Sequence, residues 1–240
     1  MDLQLTILIV AALLTSLVSG LIGMAGGIIL LAVMDMFIPL SALVPVHGAV
    51  QLISNGTRVS LHIKHVKWSI GLPLVLGAGV GALIASTFTM QLQSQEEFRI
   101  LLAGFILLMT WKPKLKKGFQ WAGKFYLVGL VSGIVSMLFG ATGPFLAPFF
   151  LNENLDRFQI ISTKAFSQMA GHFFKVIAFT ILGFAYSEYA FTILLMAVAV
   201  VLGTYISKKI LRKFDDKTFL ILFKGVITLL CIRMIILYFQ

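Results

Sequence analysis

Long apolar stretches alternate with short polar segments along the whole chain. Five stretches contain no aspartate, glutamate, lysine or arginine: residues 3–34, 36–57, 68–95, 125–152 and 189–207. A helix that crosses a bilayer needs about 20 mostly apolar residues, and each stretch is close to that length or longer. Strands of membrane barrels have about 10 residues and alternate strictly between apolar and polar positions, which these stretches do not. The pattern therefore predicts an all-α polytopic membrane protein.

Composition supports this class. Apolar residues make up 59% of the chain and charged residues only 12%, whereas a soluble domain carries roughly 25% charged residues. The single cysteine, Cys231, excludes an internal disulfide and a cysteine-cluster metal site, and we expect no cofactor. The first apolar stretch lacks both a preceding basic segment and a small-residue cleavage site. We therefore interpret it as part of the mature protein rather than as a signal peptide.

Three segments of the first half recur in the same order in the second half. Residues 18–24, Val-Ser-Gly-Leu-Ile-Gly-Met, resemble residues 131–137, Val-Ser-Gly-Ile-Val-Ser-Met. A row of four polar residues then recurs with identical spacing, and residues 98–109 pair with residues 219–230. Ordered matches of this kind indicate an internal duplication. The expected units are a first repeat at 1–113, a basic cytoplasmic linker at 114–118 and a second repeat at 119–240.

The basic residues indicate that the two repeats have opposite orientations. Twelve of the 19 lysines and arginines lie in segments 63–67, 112–124 and 208–217, and such segments collect on the cytoplasmic side. The second-half equivalent of loop 63–67 is loop 184–188, which is acidic and therefore expected outside. Likewise, loop 89–96 is expected outside and its equivalent, 208–217, inside. This is the inverted-topology repeat of many secondary transporters.

Inversion requires an odd number of membrane crossings in each repeat. Six segments are expected to cross once each: 40–62, 68–88, 97–112, 158–183, 190–207 and 218–238. The first element of each repeat, 3–38 or 119–151, then crosses either not at all or twice. The limb at 26–38 would give roughly 20 Å of helix, less than the ~30 Å hydrocarbon core, which favours broken, partly re-entrant hairpins.

Glycine-rich breaks interrupt both hairpins and are the first candidate binding elements. The candidates are Gly23, Gly26 and Gly27 in the first hairpin and Gly140, Thr142 and Gly143 in the second. Unwound backbone at membrane depth is tolerated where it is buried or lines a wet cavity. A half-helix that begins there directs free N–H groups and a positive dipole end at an anion. Close helix packing through small residues is the alternative.

Two rows of polar residues are the second candidate. The first polar row is His47, Gln51, Asn55 and Arg58, and the second polar row is Lys164, Gln168, His172 and Lys175. Spacings of four, four and three place each row on one helix face. A charge at mid-bilayer costs about 2.5–3.5 kcal/mol, so both rows should face the interior or a water-filled cavity. Because they hold cations and amides but no carboxylate, they suit an oxyanion such as sulfite or a sulfonate.

Simpler explanations apply to some members of the rows. Arg58 and Lys175 can extend to the membrane interfaces, and His47 can lie at the outer interface. Gln51 and Gln168 lie near the middle of their segments, so a position at a membrane interface explains them less well. An amide contact between two helices is the alternative for them.

Three features of the chain resemble the sulfite exporter TauE/SafE family of membrane permeases. They are the glycine motif at residues 18–27, the similar segment at residues 131–144 and the two polar rows. The resemblance covers nearly the whole chain. It implies a multi-pass protein of a prokaryotic inner membrane that transports, and commonly exports, sulfur-containing oxyanions such as sulfite, sulfoacetate or taurine-related compounds. Pro144 stands where another glycine is common in the family, which bears on the substrate rather than on the family.

These inferences predict a secondary transporter, an exporter of a small sulfur-containing anion, that works by alternating access at a midplane site between the repeats. Four residues would coordinate the anion: Gln51, Asn55, Gln168 and His172. Three would attract it or line its route: Arg58, Lys164 and Lys175. His47 or His172 would couple proton movement, because histidine titrates near neutral pH.

Other classes differ in their sequence requirements. An uncoupled anion channel, or a permease for a different small anion, would use the same polar rows. An intramembrane enzyme is disfavoured because the chain lacks a Gly-x-Ser-x-Gly element, a paired-carboxylate site and a His-Glu-x-x-His motif. The net charge of +10 is explained by cytoplasmic loops against anionic lipid, so no nucleic-acid partner is expected. The oligomeric state stays open.

Overall fold

The computed structural model describes residues 2–22, 26–93, 95, 97–111, 121, 123–151, 153–210 and 216–239. All regular elements in these ranges are helical, which confirms the predicted all-α class. The first half contains α1 (Leu3–Ile22), α2 (Gly26–Met34), α3 (Leu40–His62), α4 (Trp68–Gln93) and α5 (Phe98–Trp111). The second half contains α6 (Lys124–Phe139), α7 (Gly143–Leu151), α8 (Arg157–Ile181), α9 (Ala190–Ile210) and α10 (Asp216–Tyr238). The expected linker at 114–118 and Gly23 lie outside the described residues.

Several helices have the length and composition of membrane spans. Within the described ranges, three segments meet both criteria: Leu3–Leu21, Trp68–Gln93 and Tyr186–Lys209. Their outward faces carry large exposed apolar side chains such as Leu83 and Leu194, which suits contact with lipid. Helices α3 and α8 are long enough, with 23 and 25 residues, but they carry the polar rows and lie among the other helices. The chain is therefore a multi-pass membrane protein.

The order of elements is the same in both halves. Helix α2 begins at residue 26 and α7 at residue 143, and each has nine residues. Helix α3 begins at residue 40 and α8 at residue 157, so the same 117-residue interval separates both pairs. A 3₁₀ turn, Ile63–His65 or Tyr186–Tyr189, follows the third helix of each half.

The two halves interlock rather than lie side by side. Helix α1 packs along α9, α4 packs along α6, and α3 packs against α8 between these pairs. Glycines allow the helix backbones to approach closely. A Cβ at Gly77 would lie 2.1 Å from the carbonyl oxygen of Tyr126, and one at Gly203 would lie 2.3 Å from that of Leu13. The central pair, α3 and α8, is thus enclosed by two tightly packed pairs.

The two hairpins each combine a long limb with a short one. Helix α1 has 20 residues, about 30 Å of helix, whereas the nine residues of α2 give only about 14 Å. The short limbs are anchored by ion pairs. Asp35, which follows α2, accepts a bond from Arg99 of α5 at 3.3 Å, and Lys124 of α6 pairs with Glu153 beyond α7.

The helix bounds depart from the sequence expectation most at two places, and α9 also continues three residues into the expected loop 208–217. The second limb of the first hairpin was expected to reach residue 38, but α2 ends at Met34 and residues 35–38 form turns. At this end of α2 the side chain of Asp35 is buried in its ion pair with Arg99. Helix α4 continues to Gln93 through most of the expected loop 89–96. Thr89 and Gln93 are buried there and donate hydrogen bonds to backbone carbonyls of the protein, so this turn packs within the protein.

Substitution of Gly77 by alanine tests the close packing of α4 on α6. The added Cβ would lie 2.1 Å from a backbone oxygen that cannot move aside alone. Overpacking of this kind costs about 1–3 kcal/mol. We therefore expect a lower melting temperature for Gly77→Ala in detergent.

The matched control is Gly104→Ala, where an added Cβ meets nothing within 4 Å. Alanine exceeds glycine in helix propensity by roughly 0.8–1 kcal/mol, so this variant should melt at or above the wild-type temperature. Equal melting of Gly77→Ala and wild type would contradict the packing described for α4 and α6.

Candidate functional site

The packing of α3 on α8 brings the two polar rows together in the interior. Of the eight side chains, seven are buried: His47, Gln51, Asn55, Arg58, Lys164, His172 and Lys175. Gln168 is half-buried. His47 and Lys175 are each 0% exposed and Arg58 is 4% exposed, so neither long cation extends to a membrane interface.

One end of the rows contacts the breaks of both hairpins. The Nε2 atom of His47 lies 2.8 Å from the carbonyl oxygen of Gly27 in the first hairpin. The ammonium of Lys175 donates to the carbonyl of Gly140 in the second hairpin at 2.8 Å. It also lies 3.3 Å from Nδ1 of His172, whose ring centroid is 6.0 Å from that of His47. We call His47, His172, Lys175 and these two carbonyls the break cluster.

The other end of the first row is a hydrogen-bond chain along α3. The guanidinium of Arg58 donates to Asn55 Oδ1 at 2.8 Å and to Ser54 Oγ at 3.3 Å. The amide of Asn55 in turn donates to the carbonyl of Gln51 at 2.9 Å. Ser54 continues the chain to the hydroxyl of Ser16 in α1 at 3.1 Å. These contacts orient Arg58 and Asn55 within the protein.

The glycines of the breaks have different roles. A Cβ at Gly26 would lie 1.9 Å from the carbonyl oxygen of Thr15 in α1, so close packing accounts for this glycine. Gly27 faces the amide group of Gln51, which a Cβ would meet at an ordinary 3.6 Å. Gly140 has a φ of +77° at the end of α6, a conformation that glycine adopts at little cost.

Thr142 immediately precedes the short helix α7, and Gly143 is the first residue of this helix. Both are buried, and the carbonyl of Thr142 accepts the N–H of Leu146 at 3.0 Å in the first turn. The N-terminal ends of α7 and of α2 therefore both lie at the breaks, beside the polar rows. Free N–H groups and the positive end of the helix dipole are present at such ends.

Two residues outside the polar rows bond to the carbonyls at the opposite helix ends. Gln93 at the end of α4 donates to the carbonyls of Met137 and Leu138 in α6, both at 2.9 Å. Arg157 at the start of α8 donates to the carbonyl of Leu21 in α1 at 2.5 Å. These donors bond to carbonyls at the negative ends of α1 and α6, whereas the N-terminal ends of α2 and α7 lie at the breaks.

Sequence reasoning did not single out Gln93 or Arg157. Gln93 was placed in an expected outer loop, and Arg157 lies one residue before an expected helix. The sequence carries one signal near Arg157. Asp156 and Gln159 form a capping box, which marks the start of α8. No local signal connects either residue to a carbonyl that lies 45 or 136 positions away.

The polar rows carry cations and no carboxylate. The ion pairs described above, Asp35 with Arg99 and Lys124 with Glu153, do not include Arg58 or Lys175. Arg58 and Lys175 are buried, and their hydrogen bonds described above go to neutral groups. Buried charges require compensation, and a bound anion would provide it. Among the described residues no group of three or more His, Cys, Asp or Glu side chains could hold a metal ion.

Replacement of Gln93 by leucine tests its role at the second break. The carbonyls of Met137 and Leu138 would lose this donor, and an unsatisfied buried polar group costs about 1–3 kcal/mol. We expect a lower melting temperature and faster amide hydrogen exchange around residues 137–142. Thr87→Ala in the same helix is the control, because its exposed hydroxyl bonds only within α4. Unchanged exchange at the break in Gln93→Leu would contradict this role.

Comparison with known proteins identifies the family. The sequence model of the sulfite exporter TauE/SafE family matches residues 8–234, nearly the whole chain. No curated protein and no solved structure matches it. The match confirms the resemblance seen in the glycine motifs and polar rows, and a family of transporters is consistent with a function that is not enzymatic. The chain belongs to the sulfite exporter TauE/SafE family, membrane transporters of sulfur anions such as sulfite.

Proposed function

We propose that this protein is a secondary transporter of a prokaryotic inner membrane that exports a small sulfur-containing anion. The substrate would be sulfite, sulfoacetate or another organosulfonate, and it would bind at a midplane site between the two halves. The observation that carries the proposal is the meeting of two buried polar rows, rich in cations and free of carboxylates, with the N-terminal ends of two half-helices. Each component favours an anion.

Alternating access is supported by how the halves pair. A two-fold relation that exchanges α1 with α6 and α4 with α9 would convert the α1–α9 contact into the α6–α4 contact. Both contacts are present. The same relation would map the α3–α8 contact onto itself. Rocking of one hairpin against the other around this central pair would open the site to each side in turn, as in transporters with inverted repeats.

The anion would replace protein acceptors that the donors use now. In the described conformation Lys175 donates to the Gly140 carbonyl and Arg58 donates to Asn55. Gln51 lies beside the backbone of Gly27 and so belongs to both a polar row and a break. We infer that Gln51, Asn55, Gln168 and His172 coordinate the oxyanion. Backbone N–H groups at the two breaks would assist them, and Arg58, Lys164 and Lys175 would attract the anion.

Transport by purified protein in liposomes tests the proposal. A panel of sulfite, sulfate, thiosulfate, sulfoacetate, taurine and chloride first identifies the anion that raises the melting temperature selectively. Saturation at about 100 times the Kd stabilises the folded state by about 2.7 kcal/mol. Uptake of that anion should then fall at least about tenfold in the double variant Gln51→Ala/Gln168→Ala, because each hydrogen bond to a charged group contributes about 1.5–3 kcal/mol.

Gln4→Ala is the matched control, because Gln4 is an exposed glutamine at the start of α1. It should transport at the wild-type rate. Unchanged uptake in the double variant would exclude the proposed site. Uptake that cannot be driven uphill by any ion gradient would indicate the alternative function, an uncoupled anion channel.

A further inference from the structure

The imidazole of His47 lies between the backbones of the two hairpin breaks. Its Nε2 atom is 2.8 Å from the carbonyl oxygen of Gly27, which can only accept. Nε2 must therefore carry the proton and donate. The other nitrogen, Nδ1, faces Gly140, where an added Cβ would lie 3.5 Å away. Nδ1 is buried and has no hydrogen-bond partner among the described residues.

The neighbours of His47 indicate that its ring is neutral in this conformation. Lys175 donates to the carbonyl of Gly140 at 2.8 Å and lies 3.3 Å from Nδ1 of His172. The ammonium has only donors, so Nδ1 of His172 accepts and that ring is neutral as well. A second proton on the His47 ring would place another cation beside Lys175 in a fully buried cluster, so we infer the neutral tautomer with its proton on Nε2. The break cluster then carries one positive charge, on Lys175.

We propose that His47 is the proton-coupling residue of this transporter, and that its Nδ1 atom takes up a proton when the anion binds. Protonation changes Nδ1 from an acceptor without a partner into a donor directed at the second break. It also places a second cation beside Lys175 in a fully buried cluster, which is unfavourable unless an anion is present. This inference rests on the proposed function and specifies which residue couples anion binding to proton movement.

The proton and the anion then cross the membrane together. The proton is taken up on the side where the anion binds and is released with it on the other side, so the sum of the anion and proton gradients sets the direction of transport. No covalent bond changes except the N–H bond of His47. An empty cluster with two cations is disfavoured because nothing compensates the second buried charge. A loaded cluster with neutral His47 is disfavoured because the Nδ1 lone pair, an acceptor, would face the oxygen atoms of the anion. The two favoured states are empty with neutral His47 and loaded with charged His47. For a monoanion, the loaded step carries no net charge.

The surroundings distinguish His47 from His172. The titratable side chains that face His47 are Lys175 and His172, both from α8. Helix α2 and the second break contribute the carbonyls of Gly27 and Gly140 to it. Nδ1 of His172 already faces the ammonium of Lys175, so a proton there would meet a cation directly. Nδ1 of His47, by contrast, is fully buried and has no hydrogen-bond partner among the described residues.

Proton uptake on anion binding tests this assignment. The probes are methanesulfonate, which stays ionised throughout, and sulfite. Calorimetric titration of the purified protein near pH 8 in two buffers of different ionisation enthalpy measures protons taken up per anion. We expect about one proton per methanesulfonate, because histidine is largely neutral at this pH. By linkage, binding should tighten about tenfold for each unit by which the pH is lowered in this range.

The variant His47→Gln keeps an amide that can donate to the Gly27 carbonyl but cannot titrate. It should bind with no proton uptake and no pH dependence, whereas His172→Gln should retain proton uptake even where its affinity falls. Anion binding by wild type without proton uptake, or uptake lost in His172→Gln alone, would overturn the assignment. If a variant does not fold, the pH dependence of anion binding by the wild-type protein still tests the coupling of binding to proton uptake. Absence of binding of both probes would reject the anion site itself, and with it this inference.

Discussion

The structure depends on one constraint, which is that backbone groups freed by a helix break inside a membrane must find partners within the protein. A lipid environment offers none, and each unsatisfied group costs several kcal/mol. Both hairpins break between a long and a short helix, and each break receives side-chain donors from distant segments. Lys175 bonds to Gly140, Gln93 to Met137 and Leu138, and Arg157 to Leu21.

These donors explain why polar residues are concentrated on α3 and α8. The two helices are surrounded by the tightly packed pairs α1–α9 and α4–α6, whose outer faces are apolar. Polar side chains in such a position contact other helices instead of lipid. Lys175 both satisfies the second break and lies among the groups proposed to attract the anion, so local structure and the proposed binding share this residue. Binding would then require that donors leave backbone carbonyls, which links occupancy of the site to the conformation of the hairpins.

Much of the fold could be predicted from the sequence because it has strong periodic signals. Runs without charge define the helices, and α3 occupies residues 40–62 as expected. The four-, four- and three-residue spacings placed each polar row on one face, and the structure brings those faces together. Gly26 shows the limit of such reasoning. Its predicted anion contact stays a prediction, but a Cβ there would meet the backbone of Thr15, a close contact that no local pattern reveals. Gln93 and Arg157 were missed for the same reason, since their partners lie far away in sequence.

The central claim is that an oxyanion binds between α3 and α8 where both hairpin breaks meet. Selenite, a heavier analogue of sulfite, tests it directly in crystals through the anomalous scattering of selenium. We predict one peak, displaced by excess sulfite, within hydrogen-bond distance of the Gln51 and Lys175 side chains. A peak elsewhere, or none between these helices at saturating selenite, would contradict the account.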